Sequence, residues 1–231
     1  MSKALFITGT GTDVGKTFTA GLILKTLKEH GKNAAYFKAA MSGNARDAKG
    51  KLIPGDAVWV KHVSGISQPL EEMCPYVYEH AYSPHLASRL EGNPVRMDVV
   101  KKAFEQVSQT YDYIVAEGSG GILCPLRADE ENLRLEDVVK MLMLSCLLVA
   151  DAGLGTINSV GLTAEYMRAK HLPLKGLIIN RFHPGDVMEE DNLRMCESMT
   201  GLKVLARIKD GDNGLDMDAD ELEALFSPVM C

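Results

Sequence analysis

Short, unbroken apolar runs alternate along this chain with longer segments in which apolar residues return every three or four positions. Residues 4–7, 34–37, 113–116, 146–150, 177–179 and 204–206 are the short runs and read as strands buried on both faces. Segments 18–27, 56–63, 84–90, 136–143, 156–170 and 186–199 carry the helical period, and a further helix starts at Asp98 with Val99, Val100, Ala103, Phe104 and Val107 as its apolar face. Ser83-Pro84 reads as an N-cap followed by proline at the first helical position, and Thr156 as the N-cap of its helix. Residues 44–55 are polar and punctuated by Gly50, Pro54 and Gly55, which predicts a loop. Residues 65–82 hold no period and predict an irregular excursion, Gly118-Ser119-Gly120-Gly121 a glycine-rich loop, and the acidic stretch 216–226 a last helix.

Strand and helix in alternation predict an α/β fold, a parallel sheet with helices on both faces, formed by one domain spanning residues 1–231. Such sheets bind ligands beyond the carboxyl ends of their strands. Lys16, Lys38, Glu117, Asp151 and Asn180 all follow predicted strands, so they are expected to meet in space.

Composition narrows the function. A formal net charge of -6 argues against a general nucleic-acid binder. The longest apolar run, residues 141–150, is too short to span a bilayer, and the chain enters its first strand without a signal-peptide pattern, so a cytoplasmic protein is expected. The five cysteines (Cys74, Cys124, Cys146, Cys196 and Cys231) form no close pair, which reads as reduced thiols rather than a zinc site.

The first strand runs into Thr8-Gly9-Thr10-Gly11-Thr12-Asp13-Val14-Gly15-Lys16-Thr17, which opens a helix. Strand, glycine-rich loop, Gly-Lys-Thr and helix make a phosphate-binding P-loop, here a variant with Thr10 where the common pattern has its first glycine. The loop N–H groups and the helix N-terminus favour a phosphate chain. In this arrangement Lys16 reaches the β- and γ-phosphates and the Thr17 hydroxyl takes Mg²⁺. Glu117 ends an apolar strand where a P-loop enzyme places an acid near that metal, and Asp56 is a second candidate. Lys38 supplies a second cation, suited to charge developing on a transferring phosphoryl group, and Ser42 a hydrogen-bond donor. Asp13 lies inside the loop, where an acid is unfavourable beside phosphates unless it faces a cation or an amine.

These residues resemble the dethiobiotin synthetase family over most of the chain to about Ala206. The loop from Gly9 to Thr17 looks like the family's G-T-[DN]-T-[EDG]-V-G-K-T, and Tyr36-Phe37-Lys38 through Ser42-Gly43 is similar to Y-K-P-V-x-[ST]-G. Ser83-Pro84-His85 with Glu91-Gly92 resembles S-P-H…E-G. The run from Val115 to Gly121 resembles V-E-G-[AS]-G-G, and Gly153-Leu154-Gly155-Thr156-Ile157-Asn158 resembles G-x-L-G-[CT]-I-N. Asn180 matches the asparagine after the late strand.

The resemblance implies a P-loop NTPase fold and an ATP- and Mg²⁺-dependent ligase of biotin synthesis. It implies 7,8-diaminopelargonic acid and CO₂ as substrates, joined through a carbamate and its mixed anhydride with phosphate. It further implies that Asp13, Val14, Gly15, Lys16, Thr17 and Phe18 hold the nucleotide and Asn180 its adenine, while Thr17, Asp56 and Glu117 bind Mg²⁺. Thr12, Lys38 and Ser42 contact the carbamate or the transferring phosphate. Family members are homodimers, and Gly155, Thr156 and Asn158 are expected to bind the substrate carboxylate from the neighbouring subunit.

Three positions depart from the family pattern: Gly11 replaces an acid or amide, and Ala39 and Lys209 each replace a proline. Two other readings share the fold. Partitioning and cell-division ATPases carry a second lysine inside the loop, at the position held here by Gly11. Amide-forming ligases of the cobyrinate type usually carry an additional glutamine amidotransferase domain, for which this chain has no room after its sheet.

Overall fold

The computed structural model describes residues 1–229. Met230 and Cys231 lie outside the described residues, and with Cys231 the expectation of a reduced thiol there; Cys74, Cys124, Cys146 and Cys196 are free thiols.

In chain order, β1 (Lys3–Gly9) leads through the glycine-rich loop into α1 (Lys16–Glu29), followed by β2 (Ala34–Lys38) and the short β3 (Ala40–Met41). Next come α2 (Gly55–Ser64), α3 (Leu70–Met73), β4 (Tyr76–Val77), α4 (Pro84–Leu90) and α5 (Met97–Thr110). The second half holds β5 (Tyr113–Gly121), β6 (Pro125–Ala128), β7 (Asn132–Arg134), α6 (Leu135–Leu142) and β8 (Ser145–Asp151). It continues with α7 (Thr156–Ala169), β9 (Leu174–Asn180), α8 (Val187–Thr200), β10 (Val204–Ile208), α9 (Ala219–Ala224) and β11 (Ser227–Pro228).

The central sheet runs β10-β9-β8-β1-β5-β2, all parallel, with β11 antiparallel against the start of β1. From β1 the chain first builds toward β2 and β5, then crosses back to build β8, β9 and β10 on the other side. The winding therefore reverses at β1, and the crevice beyond that reversal is where an open α/β sheet takes its ligand.

Alternate strand residues sort onto opposite faces. Leu5 and Ile7 of β1 pack with Leu22, Ile23 and Leu27 of α1 and with Ala57 and Val60 of α2. Ala4 and Phe6 pack with Val100, Phe104 and Val107 of α5 and with Val138 and Val139 of α6. Leu148 and Ala150 of β8 meet Val160 of α7 and Leu193 of α8. Two buried faces explain why the strands read as unbroken apolar runs rather than alternating ones.

Four local expectations need correction. The Gly118–Gly121 stretch continues β5, and Gly121 pairs with Gly9 of β1. Its glycines serve close approach: a Cβ on Gly118 would stand 2.4 Å from Leu135 Cδ2. Residues 65–82 are less irregular than their sequence, since they contain α3 and β4, the latter pairing with β3. The last helix occupies only Ala219–Ala224, started by Asp218 accepting from Asp220 N–H at 2.8 Å. Phe226 is then buried edge-on against Tyr113, which turns the chain into β11. Thr156 is the first residue of α7 rather than its cap; Gly155 holds the cap position at φ 86°.

Candidate active site

The strand ends place two confluent cavities of about 570 and 540 Å³ beyond β1, β2 and β5, sharing Thr12, Asp13, Lys38, Ser42, Asp56 and Gly120. The smaller also contains Gly15, Lys16, Thr17, Glu117 and Arg181 and is the phosphate lobe. The larger extends past Gly43 to Tyr82, Ser83 and Pro84 at the start of α4.

The P-loop forms as its glycines require. Gly15 caps α1 at φ 96°, and a Cβ there would stand 2.1 Å from Asn180 Nδ2, so only glycine fits. Lys16, Thr17 and Phe18 begin the helix, where N–H groups have no partner four residues back; the ladder closes at Thr19, whose N–H donates to Gly15 O at 2.9 Å. The Lys16 ammonium curls over the loop and donates to Gly11 O at 2.7 Å. Burial pulls its pKa below the ordinary lysine value, with the charge of Glu117 acting the other way. The Phe18 ring packs on Trp59 of α2, 5.5 Å between centroids, and Phe18 lines neither lobe.

Charge is concentrated where β2 and β5 lie side by side. Lys38 and Glu117 are register partners. The Lys38 ammonium donates to Glu117 Oε1 at 2.6 Å and to Asp56 Oδ2 at 2.7 Å. Asp56 comes from the first turn of α2, where the helix dipole favours a carboxylate. Glu117 Oε1 also accepts from the Thr17 hydroxyl at 2.8 Å, and Oε2 accepts from the Tyr36 hydroxyl at 2.7 Å. Burial works against the Lys38 charge, but Glu117 and Asp56 outweigh it and hold the ammonium well above its ordinary pKa. Burial and the neighbouring Glu117 likewise keep the Tyr36 phenol protonated.

Asp56 and Glu117 bracket the Lys38 ammonium and the Thr17 hydroxyl bonds Glu117, so three hard oxygen donors lie in one cluster. That donor set fits Mg²⁺, which takes one or two carboxylates, a hydroxyl and phosphate oxygens and keeps waters for the rest. Ser42 brings a buried hydroxyl without a partner to both lobes. Thr12 and Asp13 line both lobes from the loop, Asp13 at a left-handed φ of 61°.

The structure brings Lys16, Lys38, Asp56, Glu117, Thr12, Asp13, Thr17 and Ser42 to one cavity; of the five strand-end residues expected to meet, Lys16, Lys38 and Glu117 line it, whereas Asp151 and Asn180 do not. Asn180 sits behind the loop, its amide donating to Val14 O at 3.2 Å. Gly155, Thr156 and Asn158 line neither lobe; Asn158 instead borders a separate surface cavity with Ile157, Gly161 and Leu162. Lys209 lies at another cavity, beside Phe182 and Arg207. Gly11 has nothing within 4 Å of a Cβ position, so the departure there leaves open space.

Sequence reasoning missed Tyr36 and Arg181. Tyr36 and Lys38 stand two apart on β2 and therefore share a face, so a tyrosine two residues before the lysine carries the signal. Arg181 follows Asn180 directly, and nothing in its spacing marks it. Cys124 also lines the larger lobe; burial pushes its thiol up to about 11, which keeps it a poor nucleophile.

A parallel sheet reversing at β1, a Gly-Lys-Thr loop on its first helix and a lysine-bridged pair of carboxylates beyond β2 and β5 define a P-loop ATPase-type protein. A family model described as "AAA domain" matches residues 3–212. Among solved structures, a chain of the MinC:MinD cell division protein complex from Aquifex aeolicus aligns with a TM-score of 0.57 at 15% identity, covering 90% of this chain and 82% of that one. A ParA family ATPase from Chlorobium tepidum aligns at 0.56 and 14% identity, covering 96% and 88%. These likenesses concern the fold alone. Among curated proteins, the ATP-dependent dethiobiotin synthetase BioD of Brachyspira hyodysenteriae is 47% identical over 227 residues, covering 98% of this chain and all of that protein. That of Clostridium novyi is 46% identical over 217 residues, covering 92% and 91%. The chain belongs to the dethiobiotin synthetase family.

Proposed function

We propose that this protein closes the ureido ring of dethiobiotin from 7,8-diaminopelargonic acid and CO₂ at the expense of Mg²⁺-ATP, acting as a single-domain cytoplasmic homodimer. The observation that carries the reading is the pair of ammonium groups, Lys16 and Lys38, at one cavity with Thr17, Asp56 and Glu117. Among the described residues no helix is long and apolar enough to cross a membrane.

CO₂ adds to one substrate amine, which loses a proton to give a carbamate. Asp13, at the mouth of the loop, suits the second, cationic amine. Thr12, Ser42 and Lys38 hold the carbamate: the Ser42 hydroxyl has no hydrogen-bond partner among the described residues, and Lys38 carries a fixed positive charge. The carbamate oxygen attacks the γ-phosphorus, the bond from that phosphorus to the β–γ bridging oxygen breaks and ADP leaves, while Lys16, Thr17 and the N–H groups of Val14 and Gly15 hold the phosphate chain. Phosphoryl transfer asks little of a protein beyond such positioning and charge stabilisation. Thr17, Asp56 and Glu117 would hold Mg²⁺, which would supply charge neutralisation for the phosphate oxygens. The second amine then attacks the activated carbonyl, and phosphate leaves. Asn180 takes the adenine, and Gly155, Thr156 and Asn158 of the second subunit take the substrate carboxylate at the start of α7, a terminus suited to an anion.

The test is phosphate release from Mg²⁺-ATP with and without 7,8-diaminopelargonic acid plus bicarbonate. Release that needs both, with dethiobiotin identified by mass, is the expected result. Steady release without the diamine contradicts the assignment.

A further inference from the structure

The end of β9 grips the back of the P-loop at two successive carbonyls. The Arg181 guanidinium donates through Nη2 to Asp13 O at 2.5 Å, and Asn180 donates through Nδ2 to Val14 O at 3.2 Å. Arg181 is itself anchored, since Nη1 bonds the Asp151 carboxylate at the end of β8. The other oxygen of that carboxylate accepts the Gly153 N–H at 2.9 Å, which fixes its direction. Asp151 and Asn180 are register partners in the sheet, so the grip is mounted on the rigid edge of two paired strands.

A trans peptide unit is planar, and its C=O and N–H point in opposite directions; no peptide here is cis. Asp13 O and the Val14 N–H belong to one such unit, and Val14 O and the Gly15 N–H to the next. Holding both carbonyls at Arg181 and Asn180 turns both N–H groups away from those side chains. Neither N–H has a hydrogen-bond partner among the described residues. The arrangement is held in spite of backbone cost. Asp13 at φ 61° and Arg181 at φ 54° are both non-glycine residues in the left-handed region, and a single hydrogen bond joins them.

We propose that Arg181 is a positioning residue for nucleotide binding: anchored by Asp151, it presets the Asp13–Gly15 peptides so that their N–H groups meet the phosphate chain. This rests on the ATP-site reading above and adds to it a residue from outside the P-loop. Its effect falls on binding that persists from ground state to transition state, so its loss raises KM for ATP and leaves kcat nearly unchanged.

Arg181→Gly is the informative variant, because glycine accepts φ 54° and the change removes only the side chain. Binding of Mg²⁺-ATP and of inorganic tripolyphosphate is measured by calorimetry, with thermal unfolding recorded alongside. Both ligands are expected to weaken by the same factor, roughly tenfold or more, at parent-like unfolding temperature. Arg181→Lys, with charge but no fork to span Asp13 and Asp151, recovers part of the loss. Asp151→Asn weakens binding in the parent and has no further effect in the Arg181→Gly background. Parent-like binding of both ligands by Arg181→Gly overturns the proposal. So does weakened ATP binding with tripolyphosphate unaffected, which would place Arg181 at the nucleoside end. Failure of the ring-closure reading looks different: intact nucleotide binding with no dethiobiotin formed.

Discussion

Helices α1 and α7 follow neighbouring strands, β1 and β8, and both start from a left-handed glycine, Gly15 at φ 96° and Gly155 at φ 86°. Neither has a side-chain cap or an acidic residue in its first turn. As anion sites their backbones are equivalent. Their surroundings are not. The start of α1 is walled by this chain's own groups: Asn180 fills the space against Gly15, Lys16 is buried, and Glu117 bonds Thr17. At the start of α7, among the described residues, no atom beyond the chain neighbours lies within 4 Å of a Gly155 Cβ position, Leu154 is 88% exposed, and the buried Thr156 hydroxyl has no hydrogen-bond partner. Helix direction supplies a generic preference for negative charge; the groups opposite it decide whether chemistry follows. This chain completes the α1 end by itself, whereas the exposed Leu154 leaves the approach to α7 open, as the proposed second subunit would require.

The largest expected effect comes from stripping the α1 end of its bridging cation. Lys38→Ala leaves Glu117 and Asp56 facing each other without their ammonium and, in the proposed mechanism, removes charge compensation from the transferring phosphoryl group. Phosphate release in the presence of both substrates should fall by about 10²–10³-fold or more, with ATP binding largely kept. Removing one member of a buried ion pair also destabilises, by roughly 3–5 kcal/mol, visible as a lower unfolding midpoint. Normal turnover by Lys38→Ala would end its assigned role.

A smaller effect separates the two helix ends. Asn158→Asp sets a carboxylate in the first turn of α7, where the substrate carboxylate is proposed to sit. KM for the diamine should rise roughly tenfold at unchanged KM for ATP, an effect of the order of a helix-terminus charge interaction. A rise in KM for ATP instead would move α7 to the nucleotide. The mildest change is Tyr36→Phe, which removes the hydrogen bond to Glu117 Oε2 and leaves the Lys38 and Thr17 bonds to Oε1 in place. The Mg²⁺ concentration giving half-maximal rate should rise about tenfold, the low end for losing a group that orients a metal ligand, with the rate recovered at saturating Mg²⁺. An unchanged Mg²⁺ requirement would make Tyr36 a packing residue only.

The fold was legible because two-sided burial writes itself as continuous apolar strands, and the α1 end because Gly-Lys-Thr, Lys38, Asp56 and Glu117 each stand at a strand end or a helix start. What the sequence hid depends on contacts between distant segments. Gly118–Gly121 has a loop's composition, yet close approach to Leu135 and pairing with Gly9 make it strand. Phe226 is one aromatic in an acidic tail, yet its burial against Tyr113 ends α9 early and brings β11 to the sheet. Arg181 reads as an ordinary surface arginine, and only the fold carries its guanidinium to the loop and to Asp151.

The central claim is that phosphate leaves from an anhydride with the carbamate rather than from attack by water, and oxygen labelling tests it directly. Mg²⁺-ATP and 7,8-diaminopelargonic acid are turned over with ¹⁸O-labelled CO₂, before the label exchanges into water, and the released phosphate is weighed by mass spectrometry. The oxygen that attacks the γ-phosphorus departs with it when the second amine closes the ring, so each phosphate should carry one ¹⁸O from CO₂. Dethiobiotin formed alongside unlabelled phosphate would contradict the account.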